Sequence, residues 1–422
     1  MYKKTRLDNG LRVITHSMPQ KQSVALGVWI KVGGRYESPR IKGAAHFIEH
    51  LLFKGSKIYS CRKIKESIEG VGGSLNGFTS EELTCYLVKI PATYLNLALD
   101  VLSDMVINPL FLLSDIEKER AVILEEMKMY KDLPQSYVHE LLDELMWPKQ
   151  PLGASILGTN ESISRIKRDD LLSFRKDYYT PPNIVVSAAG SLDHHKLTNR
   201  INRIFSHPCE KNINTFLKAR ERQSKPQLKI LFKETEQTHL ALGFHSFKRE
   251  HPLKHALGLL NVILGANMSS RLFDEVREKR GLAYEIGTQL KRFEDTGALV
   301  VHAGIDNKKV APAVKLILKE LSKLKAKLVA SNEFQRAKDF YLGQLMLALE
   351  DTMDNMLWIG ETTVALNKAY TVEEIIKEVS RVKACDLQEV ARGIFKEENL
   401  HLSLIGPLKD KEEAIAGGLK LN

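Results

Sequence analysis

Five consecutive residues, His46-Phe47-Ile48-Glu49-His50, combine two imidazoles and a carboxylate at a spacing suited to metal-assisted hydrolysis. On a helix, residues four apart stack on one face, so His46 and His50 project in nearly the same direction. Two imidazoles held that way fill two corners of a tetrahedral zinc site. Glu49 falls about 100° from His50 around the helix axis, beside such a metal rather than on it. That is the place of a general base for zinc-bound water, whose pKa drops to about 7 when three protein ligands leave the fourth position open. The same string also occurs as ordinary packing or surface histidines. Here Gly43-Ala44-Ala45 before it and Leu51-Leu52-Phe53 after it argue for burial, and buried histidines beside a carboxylate need a shared partner.

Carboxylates for that partnership lie downstream. Glu117, Glu119, Glu125 and Glu126 occupy a helical stretch with Val122, Ile123 and Met127. Glu119 and Glu126 are seven residues apart, hence on one face two turns distant. One can ligate while the other orients a histidine through its second ring nitrogen. Glu117 and Glu125 also fit a solvated acidic face. Spacing alone leaves Glu125 and Glu126 both open as the ligand.

The elements that must carry these residues come in two similar series. Alternating polarity marks strands at 12–16 and 24–32, the first preceded by the turn signal Asp8-Asn9-Gly10. Helix-period stretches follow at 44–54 and 61–69, strands at 74–79 and 84–90, and helices at 94–106 and 114–146. A strand at 183–189 and a helix to residue 205 close the first series. A polar stretch then separates a domain at 1–206 from one at 226–422, with 207–225 as linker. After it come strands at 228–232 and 240–244, helices at 254–264 and 270–278, strands at 284–290 and 298–303, and helices from 309. Ala25-Leu26-Gly27 answers Ala241-Leu242-Gly243, and Glu119-Arg120-Ala121 answers Gln335-Arg336-Ala337. Segregated runs of strands and helices predict an α+β fold of two homologous domains, each a mainly antiparallel sheet packed with helices.

Bulk properties set the outer limits. A chain of 422 residues exceeds the usual size of one compact core. Its 43% hydrophobic and 27% charged residues are those of an ordinary globular protein. No apolar run reaches the roughly 18 residues of a bilayer span, so no membrane partner is expected. The basic N-terminus lacks a following apolar stretch, so no secretory signal is expected either. Cys61, Cys85, Cys209 and Cys385 are scattered, which suits a reducing, cytoplasmic setting. The net charge of +10 resides mostly in helical runs that alternate both signs, as at 271–280 and 319–327, and no nucleic-acid motif accompanies it.

The H-x-x-E-H string is the inverzincin signature, and over nearly its full length the chain resembles the pitrilysin-type metallopeptidases. In that family the third zinc ligand lies in a Val-Ile-Leu-x-Glu context. Val122-Ile123-Leu124-Glu125-Glu126-Met127 matches it, so the resemblance implies Glu126 as ligand and Glu119 as its second-sphere partner. It implies one zinc per chain, held by His46, His50 and Glu126, with Glu49 as general base. The second half, in which Leu342 aligns with Glu126, is expected to bind substrate without metal. Its run from Ser269 to Tyr284 resembles the family's second signature, which implies Arg277 and Tyr284 as donors to the substrate carbonyl. Gly72 to Thr79 resembles the family's edge strand, which implies that Asn76 and Gly77 take peptide by strand addition. Where this chain has Gly77 the family usually has alanine.

The resulting expectation is a zinc endopeptidase or oligopeptidase acting on unfolded peptides, with two domains facing each other as a clamshell. The family implies a homodimer or a pairing with a metal-free paralogue. A non-catalytic subunit and a zinc hydrolase of small amides are the competing readings. The intact His46, Glu49, His50 and Glu126 speak against the former.

Overall fold

A computed structural model of the chain describes residues 2–206, 215–221, 223–409 and 411–421. The expected linker at 207–225 therefore falls in part, at 207–214 and 222, outside the described residues. Among the described residues, no helix is long and apolar enough to cross a membrane.

The chain forms two compact units. The first comprises Met1–Met127, Ser155–Leu217 and Leu345–Val372; the second comprises Lys128–Ala154, Lys218–Gln344 and Glu373–Asn422. Each is an α+β unit built on one sheet, as the segregated runs of strands and helices predict. Strands β1 (Tyr2–Arg6), β2 (Arg12–Ser17), β3 (Ser23–Ile30), β4 (Ser74–Thr79), β5 (Thr84–Pro91) and β6 (Ile184–Gly190) form the first sheet, in the order β1-β2-β6-β3-β5-β4. Strands β7 (Gln227–Phe232), β8 (Gln237–Ser246), β9 (Ala283–Arg292), β10 (Gly297–Asp306) and β11 (Leu400–Gly406) form the second, in the order β7-β11-β8-β10-β9. Apart from β1, the two orders are the same. In both, one pair is parallel (β2 with β6, β7 with β11) and the remaining pairs are antiparallel. The repeated series of elements thus folds to a repeated topology.

Packing repeats as well. One face of the first sheet buries Val24, Leu26, Val28 and Ile30 of β3 against helices that include Ala44–Leu52 and Leu95–Ile107. Its other face meets the helix Thr352–Leu366 through Ala25, Trp29, Met356 and Ile359. In the second sheet, Ala241, Ala298 and Val300 meet Val138, Leu142 and Met146 of the helix Pro134–Met146. The matched strand triplets, Ala25-Leu26-Gly27 and Ala241-Leu242-Gly243, lie at these contacts. A Cβ at Gly27 would come 2.5 Å from Met356 Sδ, and one at Gly243 would come 2.8 Å from Met146 Sδ. Each central strand lacks a side chain where a methionine of the covering helix sits, so the helix can approach the sheet closely.

These helices correct the expectation of two contiguous domains at 1–206 and 226–422. The helix Pro134–Met146 belongs to the first half of the sequence but covers the second sheet. The helix Thr352–Leu366 belongs to the second half but covers the first sheet. The expected continuous helix over 114–146 is two helices, Leu113–Asp132 and Pro134–Met146. Pro134 cannot donate a helix hydrogen bond and restricts the preceding residue, so the helix stops at it and a new one starts. Strands β1 and β11 were not evident from polarity; β11 is buried at all seven positions, which removes the two-residue alternation.

The close approach gives a test. A Cβ at Gly360 would stand 2.1 Å from Trp29 Nε1 and 2.6 Å from Ser187 Oγ, two groups already bonded to each other at 2.8 Å. Gly360→Ala should destabilise by about 1–3 kcal/mol. Gly343, in the helix Ser331–Ala348, has nothing within 4 Å of its Cβ position. Gly343→Ala should leave stability unchanged or raise it by up to about 1 kcal/mol. Urea midpoints measured for both variants check this, and equal midpoints would contradict the packing argument.

Candidate metal centre

The helix Ala44–Leu52 is short, and its burial pattern decides which residues can react. Ala44, Ala45, Phe47, Ile48, Leu51 and Leu52 are in the core, which leaves His46, Glu49 and His50 along the remaining side. Its start is unusual. Gly43 has φ of +94°, a left-handed conformation, and a Cβ there would lie 2.7 Å from Leu157 O. Glycine fits but brings no capping side chain. Glu37 supplies the cap from a distance: its carboxylate accepts the Gly43 amide at 2.8 Å and the Ala45 amide at 2.6 Å. Two first-turn amides next to His46 are thereby satisfied by a carboxyl group at the positive end of the helix. Lys42, whose Nζ donates to Gly34 O at 2.6 Å, stands 3.5 Å from the same carboxylate.

The helix Leu113–Asp132 supplies the opposite wall. Ile116, Ile123 and Met127 bury one side of it, and Glu119 is buried too. Glu126 is half-buried, whereas Glu125 and Glu117 are exposed. Glu126 Oε2 lies 3.6 Å from His50 Nε2 and 3.9 Å from His46 Nε2. The two imidazole centroids are 4.5 Å apart. Glu119 takes the other side of His50, with its Oε2 3.0 Å from Nδ1. Lys54 Nζ holds the second oxygen of Glu119 at 2.6 Å. This arrangement makes Nδ1 the protonated nitrogen of His50 and leaves Nε2 a lone pair for a metal. Among the described residues, His46, His50 and Glu126 are the one such group whose ligand atoms all lie within 4.8 Å of one another.

Donor type and spacing both suit zinc. Ligands at about 2.0–2.1 Å around a tetrahedral ion stand about 3.3 Å apart, slightly closer than the 3.6 and 3.9 Å from Glu126 Oε2 to the two Nε2 atoms. Burial and the neighbouring His50 push the His46 imidazole down to about 3, so it is neutral, the ligating form, at ordinary pH. Burial raises the carboxyl of Glu126, with His50 opposing. Burial also raises that of Glu49, while the Thr79 hydroxyl and His50 oppose. Glu49 does not join the ligand group. Its Oε2 instead accepts a hydrogen bond of 2.7 Å from Thr79 Oγ1. Asn76 and Gly77 lie on β4, which forms an edge of the first sheet, with Asn76 exposed.

Arg277 and Tyr284 belong to the second unit. The segment Phe273–Glu278 is wound wide, with Lys279 N bonded to Asp274 O at 2.9 Å, and it leads into β9. The Arg277 guanidinium carbon is 4.6 Å from the Phe273 ring centroid and 5.5 Å from that of Tyr284, a residue 74% exposed. The two expected donors are therefore neighbours on an open surface. In the same unit, His255 bonds Glu378 at 2.6 Å.

Comparison with known proteins divides the chain by its sequence halves. Residues 12–160 match the profile described as insulinase (peptidase family M16), and residues 165–341 match that of the peptidase M16 inactive domain. An uncharacterized zinc protease of Bacillus subtilis, YmxG, is 38% identical over 407 residues, covering 96% of this chain and 98% of the relative. The chain belongs to peptidase family M16. Another relative, an uncharacterized zinc protease of Streptomyces coelicolor, is 35% identical over 97% of this chain and 90% of its own length. A protease from Helicobacter pylori has the same fold, with a TM-score of 0.91 at 23% identity over 96% of this chain and 100% of that one.

Three residues of the centre had no signal in the sequence: Glu37, Lys54 and Thr79. Glu37 has a testable pH signature. Complete burial raises its carboxyl to about 7, against the opposing pull of Lys42 and the two amides. Between the ordinary value of 4.5 and about 7, the unfolded chain releases this proton while the folded chain keeps it. Folded stability should therefore fall as pH rises through that window, and Glu37→Gln should flatten the dependence. Glu37→Ala, which strands two amides, should cost about 2 kcal/mol or more. Denaturant melts of the three proteins from pH 4 to 8 check the sign; a wild-type slope unchanged in Glu37→Gln would refute it.

Proposed function

We propose that this chain is a zinc-dependent endopeptidase or oligopeptidase acting on unfolded peptides, with one zinc held by His46, His50 and Glu126. The observation that carries this reading is the convergence of two imidazole Nε2 atoms and the Glu126 carboxylate beside a carboxylate, Glu49, that stays outside the ligand group. The zinc-protease names of the relatives support it. When bound, zinc supplies Lewis acidity toward a water and the scissile carbonyl, bringing the water's pKa to about 7.

The protein's own residues do the rest. Glu49, adjacent to His50 in sequence and bound at only one oxygen by Thr79, accepts the proton of the attacking water and passes it to the leaving amine. Glu119, neutralised by Lys54, keeps His50 in the tautomer with a free Nε2. The edge strand β4 offers main-chain groups to an extended peptide near Asn76 and Gly77, a mode that asks little of sequence and requires an unfolded substrate. Arg277 and Tyr284 donate to the substrate carbonyl oxygen as it gains charge, a part carried over from the family signature.

Metal analysis and turnover separate these roles. His50→Ala should bind no stoichiometric zinc, and a chelator should abolish peptide cleavage by the wild type. Glu49→Gln should keep its zinc yet lose about 100-fold or more in turnover, since an amide cannot take the proton. Arg277→Ala and Tyr284→Phe should each lose about 100- to 1,000-fold with zinc content unchanged. Full zinc in His50→Ala would end the ligand assignment, and near-normal turnover by Glu49→Gln would end the base assignment. If the Arg277 and Tyr284 variants run at wild-type rates, the carry-over from the family signature fails.

A further inference from the structure

The hydrogen bond between Glu49 and Thr79 joins two parts of the centre that the proposed reaction uses separately. Thr79 is the last residue of β4, the edge strand. Strand alternation turns Leu75, Gly77 and Thr79 to one side and Ser74, Asn76 and Phe78, the more exposed set, to the other. On the inner side the strand meets the helix Ala44–Leu52 and its end at two points. A Cβ at Gly77 would lie 3.1 Å from the Phe53 ring, and Thr79 Oγ1 donates to Glu49 Oε2 at 2.7 Å. The strand that offers its free edge to a peptide is therefore the strand that holds the carboxylate beside the metal ligands.

We propose that Thr79 is a positioning residue that fixes the Glu49 carboxylate and transmits the seating of a peptide on β4 to it. The proposal rests on the peptidase reading above. A hydroxyl that donates to one carboxylate oxygen fixes that oxygen and leaves the other open as proton acceptor. A β-branched residue suits this task, because the two heavy atoms on its Cβ restrict χ1 and thereby the direction of Oγ1. A peptide added along β4 orders the strand backbone, and with it the Thr79 hydroxyl. Longer peptides, which pair with more of the strand, then react faster per bound molecule as well as binding more tightly. A residue that merely packed would not produce that dependence.

The test compares wild type, Thr79→Val and Thr79→Ser, all zinc-loaded, on a series of unstructured peptides sharing one cleavage site and increasing in length. Valine keeps the shape and removes the donor; serine restores it. Thr79→Val should lose about 10- to 100-fold in kcat, the scale of a hydrogen bond to a charged group, with zinc content unchanged and KM within about threefold. The rise of kcat with peptide length should disappear in Thr79→Val and return in Thr79→Ser. A crystal structure of Thr79→Val should show the Glu49 carboxylate turned away while the backbone of β4 is unchanged. Wild-type kcat and length dependence in Thr79→Val, or a Glu49 side chain that does not move, would overturn the proposal. Should the wild type cleave no peptide in a chelator-sensitive way, the peptidase reading fails, and the transmission to substrate falls with it. The position of Glu49 in the Thr79→Val crystal would then decide whether Thr79 fixes this carboxylate at all.

Discussion

Two imidazoles and three carboxylates share one partly buried space, and burial is tolerable only if each polar group has a partner. Most features of the first unit serve that requirement. Glu119 is divided between His50 and Lys54, and Glu49 leans on Thr79. Glu126 and the two Nε2 atoms face one another without a hydrogen bond, at 3.6 and 3.9 Å. A divalent cation would satisfy what the protein leaves unsatisfied there. The same constraint explains the helix cap. A helix that begins at a left-handed glycine beside a histidine has bare amides, and a buried carboxylate from Glu37 answers them.

The scaffold around this centre is a repeated solution to a packing problem. A sheet with two apolar faces needs cover on both sides. In each unit a helix distant in sequence or displaced from its own half provides the second cover, and a strand glycine opposite a methionine lets it sit close. Gly27 with Met356 and Gly243 with Met146 are the same device used twice. The duplication holds at the level of backbone and core, and it diverges where chemistry is placed. Glu126 faces two histidines, whereas in the second unit His255 is engaged by Glu378.

Much of the centre was legible in the sequence because it depends on local period. The positions of His46, Glu49 and His50 follow from 3.6 residues per turn, and the glutamates seven apart follow from the same number. Period did not distinguish Glu125 from Glu126, since both lie in the helix and only its rotation about its own axis selects one. Burial of Ile116, Ile123 and Met127 sets that rotation, exposing Glu125 and turning Glu126 toward the imidazoles. The resemblance to the family supplied what spacing lacked.

The sequence by itself determined most of the element series, its duplication, the two histidines on one face and the carboxylates able to join them. Tertiary structure alone decided that the helices at 134–146 and 352–366 cover the sheets of the opposite halves of the sequence. It alone brought Glu37 to the helix start, Lys54 to Glu119 and Thr79 to Glu49. The physical reason is range. Periodicity and turn chemistry act between residues a few positions apart, so they can be read along the chain. Which apolar face meets which, and which buried polar atom finds a partner, depends on how well whole surfaces pack. Thr79 lies 30 residues from Glu49 and Met356 more than 300 from Gly27, and no local pattern records either meeting.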